Sequence, residues 1–257
     1  KISHAYIING EEGSGKMNLA IHFAKALQCE RNNSNKAINE DGERITVPGT
    51  ACGQCKSCKQ TDSKNQPDIK YITYEKGIGV DEIREQINDD IDIKPYSSPY
   101  KIYIVPESEK MTVQAQNALL KTIEEPPEYA IIILLTTNAD TFLQTILSRC
   151  VMLNIRPVKE DIIKNQLTSQ YGVGDYEARV AATFSNGNPG KAIKLATSEE
   201  FKELKQYVVG MFMSLEKGGM DIIGEAIKKT GTFKKQIDEY FSLMRIWFRD
   251  ILVYKAT

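Results

Sequence analysis

The sequence predicts an α/β domain with a mainly parallel sheet, followed by a region made only of helices. Apolar runs typical of β-strands occur at residues 5–9, 68–74, 101–106, 130–136 and 151–155. The segments between these runs have helical spacing, and strands that alternate with helices favour a parallel sheet. The third and fourth runs are apolar almost throughout, as expected of strands that helices cover on both faces.

Beyond Pro157 the strand pattern stops and helical spacing takes over. Helices are predicted at residues 158–171, 175–185 and 189–197, with longer amphipathic stretches beginning at 199, 219 and 233. The sequence therefore predicts three parts: an α/β domain at 1–157 with an insertion at 29–58, a small helical domain at 158–198, and a further helical segment at 199–257.

Composition excludes some classes of protein. With 257 residues, 41% of them hydrophobic, the chain can build substantial cores, and its net charge of -1 does not indicate general affinity for nucleic acid or membranes. The longest apolar run, Ala130 to Leu135, is far shorter than the ~20 residues of a membrane span, and no signal peptide opens the chain. We expect a cytoplasmic protein whose natural N-terminus precedes Lys1.

A phosphate-binding loop is predicted directly after the first strand. The stretch GEEGSGKM contains Gly10, Gly13, Ser14, Gly15 and Lys16, and a helical pattern follows it. Glycines let backbone N–H groups wrap phosphates, the helix N-terminus adds its dipole, and the lysine reaches the β- and γ-phosphates. The alternative is a glycine turn with a solvated lysine. We expect ATP or ADP as the ligand of this loop.

The oxygen ligands that place magnesium at such a loop are missing. Met17 stands where a Ser or Thr hydroxyl normally binds Mg²⁺, and a thioether is a poor ligand for a hard cation. Pro106 stands where the strand at 101–106 would be expected to end in a carboxylate, and Glu107 follows it. Because both oxygen ligands for Mg²⁺ are absent, the sequence predicts that this chain hydrolyses ATP very weakly or not at all.

The cysteines predict a structural zinc site. Cys52, Cys55 and Cys58 have C-x2-C-x2-C spacing, Cys29 completes a set of four, and Cys150 is expected to be buried behind Arg149. Four cysteines in a chain without a secretory signal favour tetrahedral Zn²⁺ over disulfides. The structural alternative is a set of buried or unpaired thiols. A DNA-reading zinc module is the functional alternative, but no helix suited to a DNA groove carries this cluster.

Three motifs in fixed order carry a family resemblance: SEKMTVQAQNALLKTIEEPP at 108–127, TTN at 136–138 and SRC at 148–150. The chain resembles the clamp-loader AAA+ proteins of bacterial DNA polymerase III. Met17 and Pro106 make it more similar to the delta-prime subunits than to the tau/gamma motor subunits, which remain the alternative.

The resemblance implies a fold and partners. It implies a AAA+ domain of the P-loop NTPase type, a helical lid, and a collar domain that is incomplete here. The expected partners are tau/gamma and delta subunits in a hetero-pentameric ring, and through that complex the sliding clamp and primed DNA.

The resemblance also assigns roles to three polar positions. Arg149 becomes an arginine finger that acts on ATP held by a neighbouring subunit, and Lys191 becomes a lid residue that senses the γ-phosphate. Thr137 and Asn138 match a polar sensor position. The alternatives are a helix C-terminal cap for Arg149, a solvated side chain for Lys191, and a strand-end cap for the other two.

Overall fold

A computed structural model describes residues 2–34, 37–38, 44–45, 50–216, and residues 240, 241, 244, 245 and 248. The chain forms two compact units, Lys1–Arg156 and Pro157–Thr257. The helical stretch predicted from 219, and most of the one predicted from 233, lie outside the described residues. The division of the second unit into a lid at 158–198 and a collar from 199 stays a prediction.

The first unit contains a five-stranded parallel sheet, which confirms the predicted α/β class. Its strands, in spatial order, are β4 (Ile69–Tyr71), β5 (Lys101–Val105), β6 (Ala130–Thr136), β1 (Ala5–Asn9) and β7 (Val151–Asn154). Two short strands, β2 (Ala37–Ile38) and β3 (Arg44–Ile45), pair antiparallel within the insertion.

Helices cover both faces of the sheet. They are α1 (Lys16–Gln28), α2 (Glu30–Ser34), α3 (Lys56–Asp62), α4 (Val80–Ile83), α5 (Asp89–Ile91), α6 (Val113–Glu124) and α7 (Gln144–Leu147). Strand β6 is buried along its whole length and supplies alternate residues to two cores. Ile132 and Leu134 enter the core that includes α6 residues, whereas Ile131 and Ile133 enter the core beneath α1.

The second unit is helical in every described residue that has regular structure. Its helices are α8 (Glu160–Tyr171), α9 (Asp175–Phe184), α10 (Pro189–Thr197) and α11 (Glu199–Glu216). Their shared core includes Ile163, Leu167, Phe184 and Leu204. Among the described helices, none combines the length and the apolar character that a bilayer span requires.

Parallel pairing brings several polar residues to one edge of the sheet. The carboxyl ends of β1, β5 and β6 lie at the same edge, where Asn9 is in register with Thr136 and the amide of Gly10 donates to the carbonyl of Thr136 at 3.1 Å. Ligands of open α/β sheets bind outside this edge. The phosphate-type loop, the end of β5 and the TTN motif therefore face one another.

Candidate functional site

The loop between β1 and α1 has a backbone that requires glycine. Gly13 and Gly15 adopt positive φ angles of 78° and 92°, which L side chains rarely adopt. At Gly10 a Cβ atom would lie 2.8 Å from Ser14 Oγ and 3.1 Å from Ile155 Cβ, so a side chain there would collide with the loop and with the residue after β7. The glycine spacing in the sequence thus reflects backbone geometry.

The lysine and serine of the loop lie inside this turn. Lys16 Nζ donates to the carbonyl oxygens of Gly10 at 2.5 Å and Glu11 at 2.8 Å. Burial lowers the pKa of Lys16, and nearby carboxylates partly offset that effect. Ser14 Oγ is buried and has no hydrogen-bond partner among the described residues. An orphaned buried hydroxyl beside a lysine and the N-terminus of α1 fits a phosphate group.

Met17 is part of the hydrophobic core. Its side chain is partly buried and packs against the cluster that contains Ile8, Ala20 and Ile133. The thioether stabilises the helix against the sheet, and it offers no oxygen to a cation. The structure therefore gives a packing reason for the residue that departs from the phosphate-loop pattern.

The end of β5 carries carboxylates, but neither lies where the motif expects one. Glu107 has a left-handed backbone (φ 45°) and accepts hydrogen bonds from the Tyr74 hydroxyl and from Lys110 Nζ, the latter at 3.0 Å. Those two donors lower the pKa of Glu107, because they stabilise its ionised form. The negative charge of Glu107 is therefore stabilised locally by Tyr74 and Lys110.

Glu109 is a site residue that sequence reasoning missed. Its carboxylate accepts from Thr137 Oγ1 at 2.8 Å and from the Thr137 amide at 3.3 Å. After burial, which lowers the pKa of Lys16, the charge of Glu109 has the next largest effect on that pKa and raises it. With Glu11 and Glu12, it makes three carboxylates that act on the loop lysine. No spacing rule links position 109 to the loop, because the proximity of the two charges depends on the order of strands in the sheet.

The predicted sensor residues have local partners. Thr137 is hydrogen-bonded to Glu109, and Asn138 Oδ1 accepts the amide of Asp140 at 3.0 Å, so it caps the 3-10 turn Ala139–Thr141.

Lys191 is exposed in the second unit, where its amide donates at 3.0 Å to the side chain of Asn188, the N-cap of α10. The sensing role of Lys191 stays a prediction.

Arg149 follows α7 and lies at the surface with 40% of its side chain exposed. One guanidinium nitrogen donates to the carbonyl of Thr145 at 3.0 Å and to Ser148 Oγ at 3.2 Å, and the other pairs with Glu124 Oε1 at 3.0 Å. The contact with Thr145 is the helix cap considered from sequence. The ion pair is exposed, so it contributes little stability and yields readily to another anion. Cys150, expected to be buried behind Arg149, is half-buried and packs against the core that contains Ile146, and burial raises its pKa to about 12.

The four cysteines predicted as metal ligands come together. The Sγ atoms of Cys29, Cys52, Cys55 and Cys58 all lie within 4.8 Å of one another, and those of Cys52 and Cys58 are 3.9 Å apart. Zn–S bonds of about 2.3 Å at tetrahedral angles place sulfurs about 3.8 Å apart, so the cluster could hold Zn²⁺.

Backbone amides orient the same sulfurs. Cys52, Cys55 and Cys58 each donate an amide to the sulfur of another cysteine at 3.4 Å. Amides of Gln54 and Cys55 lower the pKa of Cys52 to about 6, whereas burial raises that of Cys58 to about 12. A thiolate-binding metal would displace the proton from Cys58.

Comparison with known proteins identifies the family. A family model described as "DNA polymerase III, delta subunit" matches residues 1–159, which is more than half of the chain. The chain belongs to the DNA polymerase III clamp-loader AAA+ family. This confirms the resemblance drawn from the three motifs.

Two similar proteins from Bacillus subtilis (strain 168) represent two subunit types of the clamp-loader family. DNA polymerase III subunit delta' is 29% identical over 213 residues, which are 82% of this chain and 59% of that protein. DNA polymerase III subunit tau is 33% identical over 200 residues, 76% of this chain and 33% of that protein. The chain thus spans less than two thirds of either relative.

Solved structures of similar fold include a gamma-subunit-related protein of DNA polymerase III from Thermotoga maritima. It is 24% identical with a TM-score of 0.46, and the match covers 94% of this chain and 71% of that one. The RuvB Holliday junction branch migration motor of the same organism is 15% identical with a TM-score of 0.45, covering 88% and 61%.

Proposed function

We propose that this clamp-loader protein acts as a delta-prime-type subunit, which assists ATP hydrolysis at a neighbouring subunit and does not hydrolyse ATP itself. Its partners would be tau/gamma and delta subunits in a hetero-pentameric ring that places a sliding clamp on primed DNA. Its own loop would hold ATP or ADP without turnover, through Gly10, Gly13, Ser14, Gly15 and Lys16. We place its activity in the cytoplasm.

One observation carries this proposal: the loop has the glycine geometry and lysine of a phosphate cradle, but the residue after the lysine is a core methionine. The Met17 thioether packs against apolar residues, and Pro106, the residue directly after β5, has no carboxylate. Positioned magnesium neutralises the charge that develops during phosphoryl transfer. A site that lacks both metal-side groups can bind nucleotide but has lost the main means of stabilising the transition state.

The exposed Arg149 supports the second half of the proposal. Its guanidinium is held at the surface by exposed partners, so an incoming triphosphate can replace Glu124 at little cost. An arginine supplied to a neighbouring site contributes about 10³ to 10⁵ in rate. The role of the chain would then be to complete the site of the adjacent motor subunit.

The proposed zinc site has a structural role. Cys29 is the C-cap of α1, the helix that begins at the loop lysine, and Cys58 lies in α3, which packs on α1. Zn²⁺ bound by the four thiolates would fasten the insertion to the C-terminal end of the loop helix. A closed set of four protein ligands leaves no open position for catalysis.

A motor subunit of the tau/gamma type is the second candidate. The identity with the Bacillus subtilis tau subunit, 33%, exceeds the 29% shared with the delta-prime subunit of that organism. This candidate predicts metal-dependent hydrolysis by the chain alone.

Hydrolysis by the purified full-length protein separates the two candidates. We expect no Mg²⁺-dependent ATP turnover above that of a Lys16→Ala variant purified in parallel, since neither Met17 nor Pro106 can place magnesium. Turnover that requires Mg²⁺ and disappears in Lys16→Ala would establish a motor subunit instead.

The charge of Glu109 gives a separate prediction for nucleotide binding. The substitution Glu109→Gln removes a negative charge beside Lys16, so we expect ATP to bind about fivefold more tightly, equivalent to a charge interaction of about 1 kcal/mol. Calorimetric titration with and without Mg²⁺ measures the change, and Glu128→Gln, an exposed site outside the loop, is the control. Weaker Mg²⁺-ATP binding would instead show that Glu109 supplies a metal ligand.

A further inference from the structure

Lys25 is a buried cation on the loop helix. Its side chain is only 10% exposed, and Nζ lies 2.6 Å and 2.7 Å from the two carboxylate oxygens of Asp62, which is 54% exposed. Burying an ammonium is costly unless nearby negative charge compensates it. Asp62 supplies the larger part of this compensation, and the question is whether a second source of negative charge lies near the ammonium.

The position of the pair relative to the cysteines answers this question. Lys25 lies in the last turn of α1, four residues before the C-cap Cys29, and Asp62 follows Cys58 by four residues on α3. Residues four apart in a helix share a face, so the ion pair lies about one helical turn from two of the four sulfurs. The hydrogen bond to Asp62 is the largest cause of a raised pKa of Lys25, and the charges of Cys58 and Cys52 add to it.

We propose that Lys25 is the counter-charge of the metal site, a positioning residue that stabilises the metal-bound thiolates electrostatically. The inference rests on the zinc binding proposed above. Four thiolates around one Zn²⁺ carry a net charge of −2, so formation of the metal-bound cluster would place negative charge near the ammonium. A buried cation favours that change, and an anion in the same place opposes it.

This role differs from that of an ordinary ion pair between two helices. If the pair only fastened α1 to α3, loss of either partner would loosen the cysteines in the same way. If the ammonium acts on the thiolates, the two partners have opposite effects on metal affinity: Lys25 strengthens binding, and Asp62 weakens it by drawing part of the positive charge away.

Zinc affinity measured by competition with a chromophoric chelator at pH 7 tests the proposal on the full chain. We expect Lys25→Met to lower the affinity about tenfold or more, as loss of groups around metal ligands typically does, and Lys25→Arg to restore most of it. Asp62→Asn should keep or raise the affinity. Lys59→Met is the matched control, because it removes the same charge from an exposed position next to Cys58 and should change little.

A spectroscopic measurement accompanies the affinities. With Co²⁺ in place of zinc, the thiolate-to-cobalt charge-transfer bands of Lys25→Met should move to lower energy, because the sulfur lone pairs lose the stabilising ammonium. The bands of Lys59→Met should stay in place.

Several outcomes would overturn the proposal. They are unchanged zinc affinity in Lys25→Met, a loss of affinity in Asp62→Asn as large as that in Lys25→Met, or equal losses in Lys25→Met and Lys59→Met. Should Lys25→Met not fold, Asp62→Asn is compared with the unsubstituted chain. A clear loss of zinc affinity in Asp62→Asn would then overturn the electrostatic role, which predicts undiminished binding; its half-exposed carboxylate makes misfolding of this variant a small risk. An unsubstituted chain that binds no zinc would refute the metal site itself, which is a separate failure.

Discussion

Substituting Arg149 by Ala is expected to lower ATP turnover at one site of the reconstituted clamp loader by about 10³-fold. The complex would contain this chain together with tau/gamma and delta subunits of the same organism. The physical reason is the loss of a guanidinium that stabilises charge on the transferring phosphate of the neighbouring subunit. Steady-state hydrolysis, measured with clamp and primed DNA present, reports the effect.

The same experiment includes Lys16→Ala. We expect this substitution to leave ATP turnover by the reconstituted complex almost unchanged. Lys16 lies in a loop without metal-side oxygens, so its loss affects nucleotide binding in this chain but no hydrolytic step. Equal losses from Lys16→Ala and Arg149→Ala would contradict the proposed asymmetry between the two sites.

Glu124→Ala is the control for the integrity of the surface around Arg149. Glu124 and Arg149 form an exposed ion pair at 3.0 Å, so removal of Glu124 breaks the contact but leaves the arginine. We expect turnover within about twofold of the unsubstituted complex, because such pairs contribute little to stability. A large loss in Glu124→Ala would show that the ion pair matters for structure and not for a neighbouring ATP.

Cys58→Ser is expected to remove zinc from the chain and to destabilise its first unit strongly. Cys58 is fully buried in α3, and a hydroxyl in its place is a much weaker ligand for Zn²⁺ than a thiolate. Binding of structural zinc provides about 10–16 kcal/mol in zinc-finger peptides, so its loss should lower the unfolding temperature markedly. Metal content by atomic emission and thermal unfolding measure the two effects.

Cys150→Ala serves as the matched control, because Cys150 is the one cysteine outside the four-cysteine cluster and packs against the core that contains Ile146. It should keep full zinc content. Retention of zinc by Cys58→Ser would refute the four-cysteine site. If duplex DNA binding by the isolated chain were salt-sensitive and were lost in Cys55→Ser, the cluster would instead belong to a DNA-binding module.

Much of the first unit could be predicted from local sequence patterns. The five strands were visible in the sequence as apolar runs, and a glycine-rich turn was expected where Gly13 and Gly15 have positive φ angles. The phosphate-binding role of this turn stays a prediction. Cysteine spacing predicted which four sulfurs would meet. These features can be predicted from sequence because each depends on residues that are close in the chain or on the side-chain periodicity of a strand or helix.

The partners of the polar side chains could not be predicted in this way. The charge of Glu109 acts on Lys16 although 93 positions separate them in the chain, because β5 and β1 end at the same edge of the sheet. Arg149, which follows α7, pairs with Glu124 at the end of α6, and Lys25 of α1 pairs with Asp62 at the end of α3. Residue spacing in the sequence therefore cannot predict such pairs.

The sequence by itself therefore determined the family, the fold class and the residue types available for phosphate and metal. Only the tertiary structure decided which carboxylates surround the loop lysine, why a methionine follows it, and which acidic residue pairs with Lys25. The physical reason is that propensity and periodicity act over a few residues, whereas electrostatic interaction depends on distance in space, which the order of strands sets.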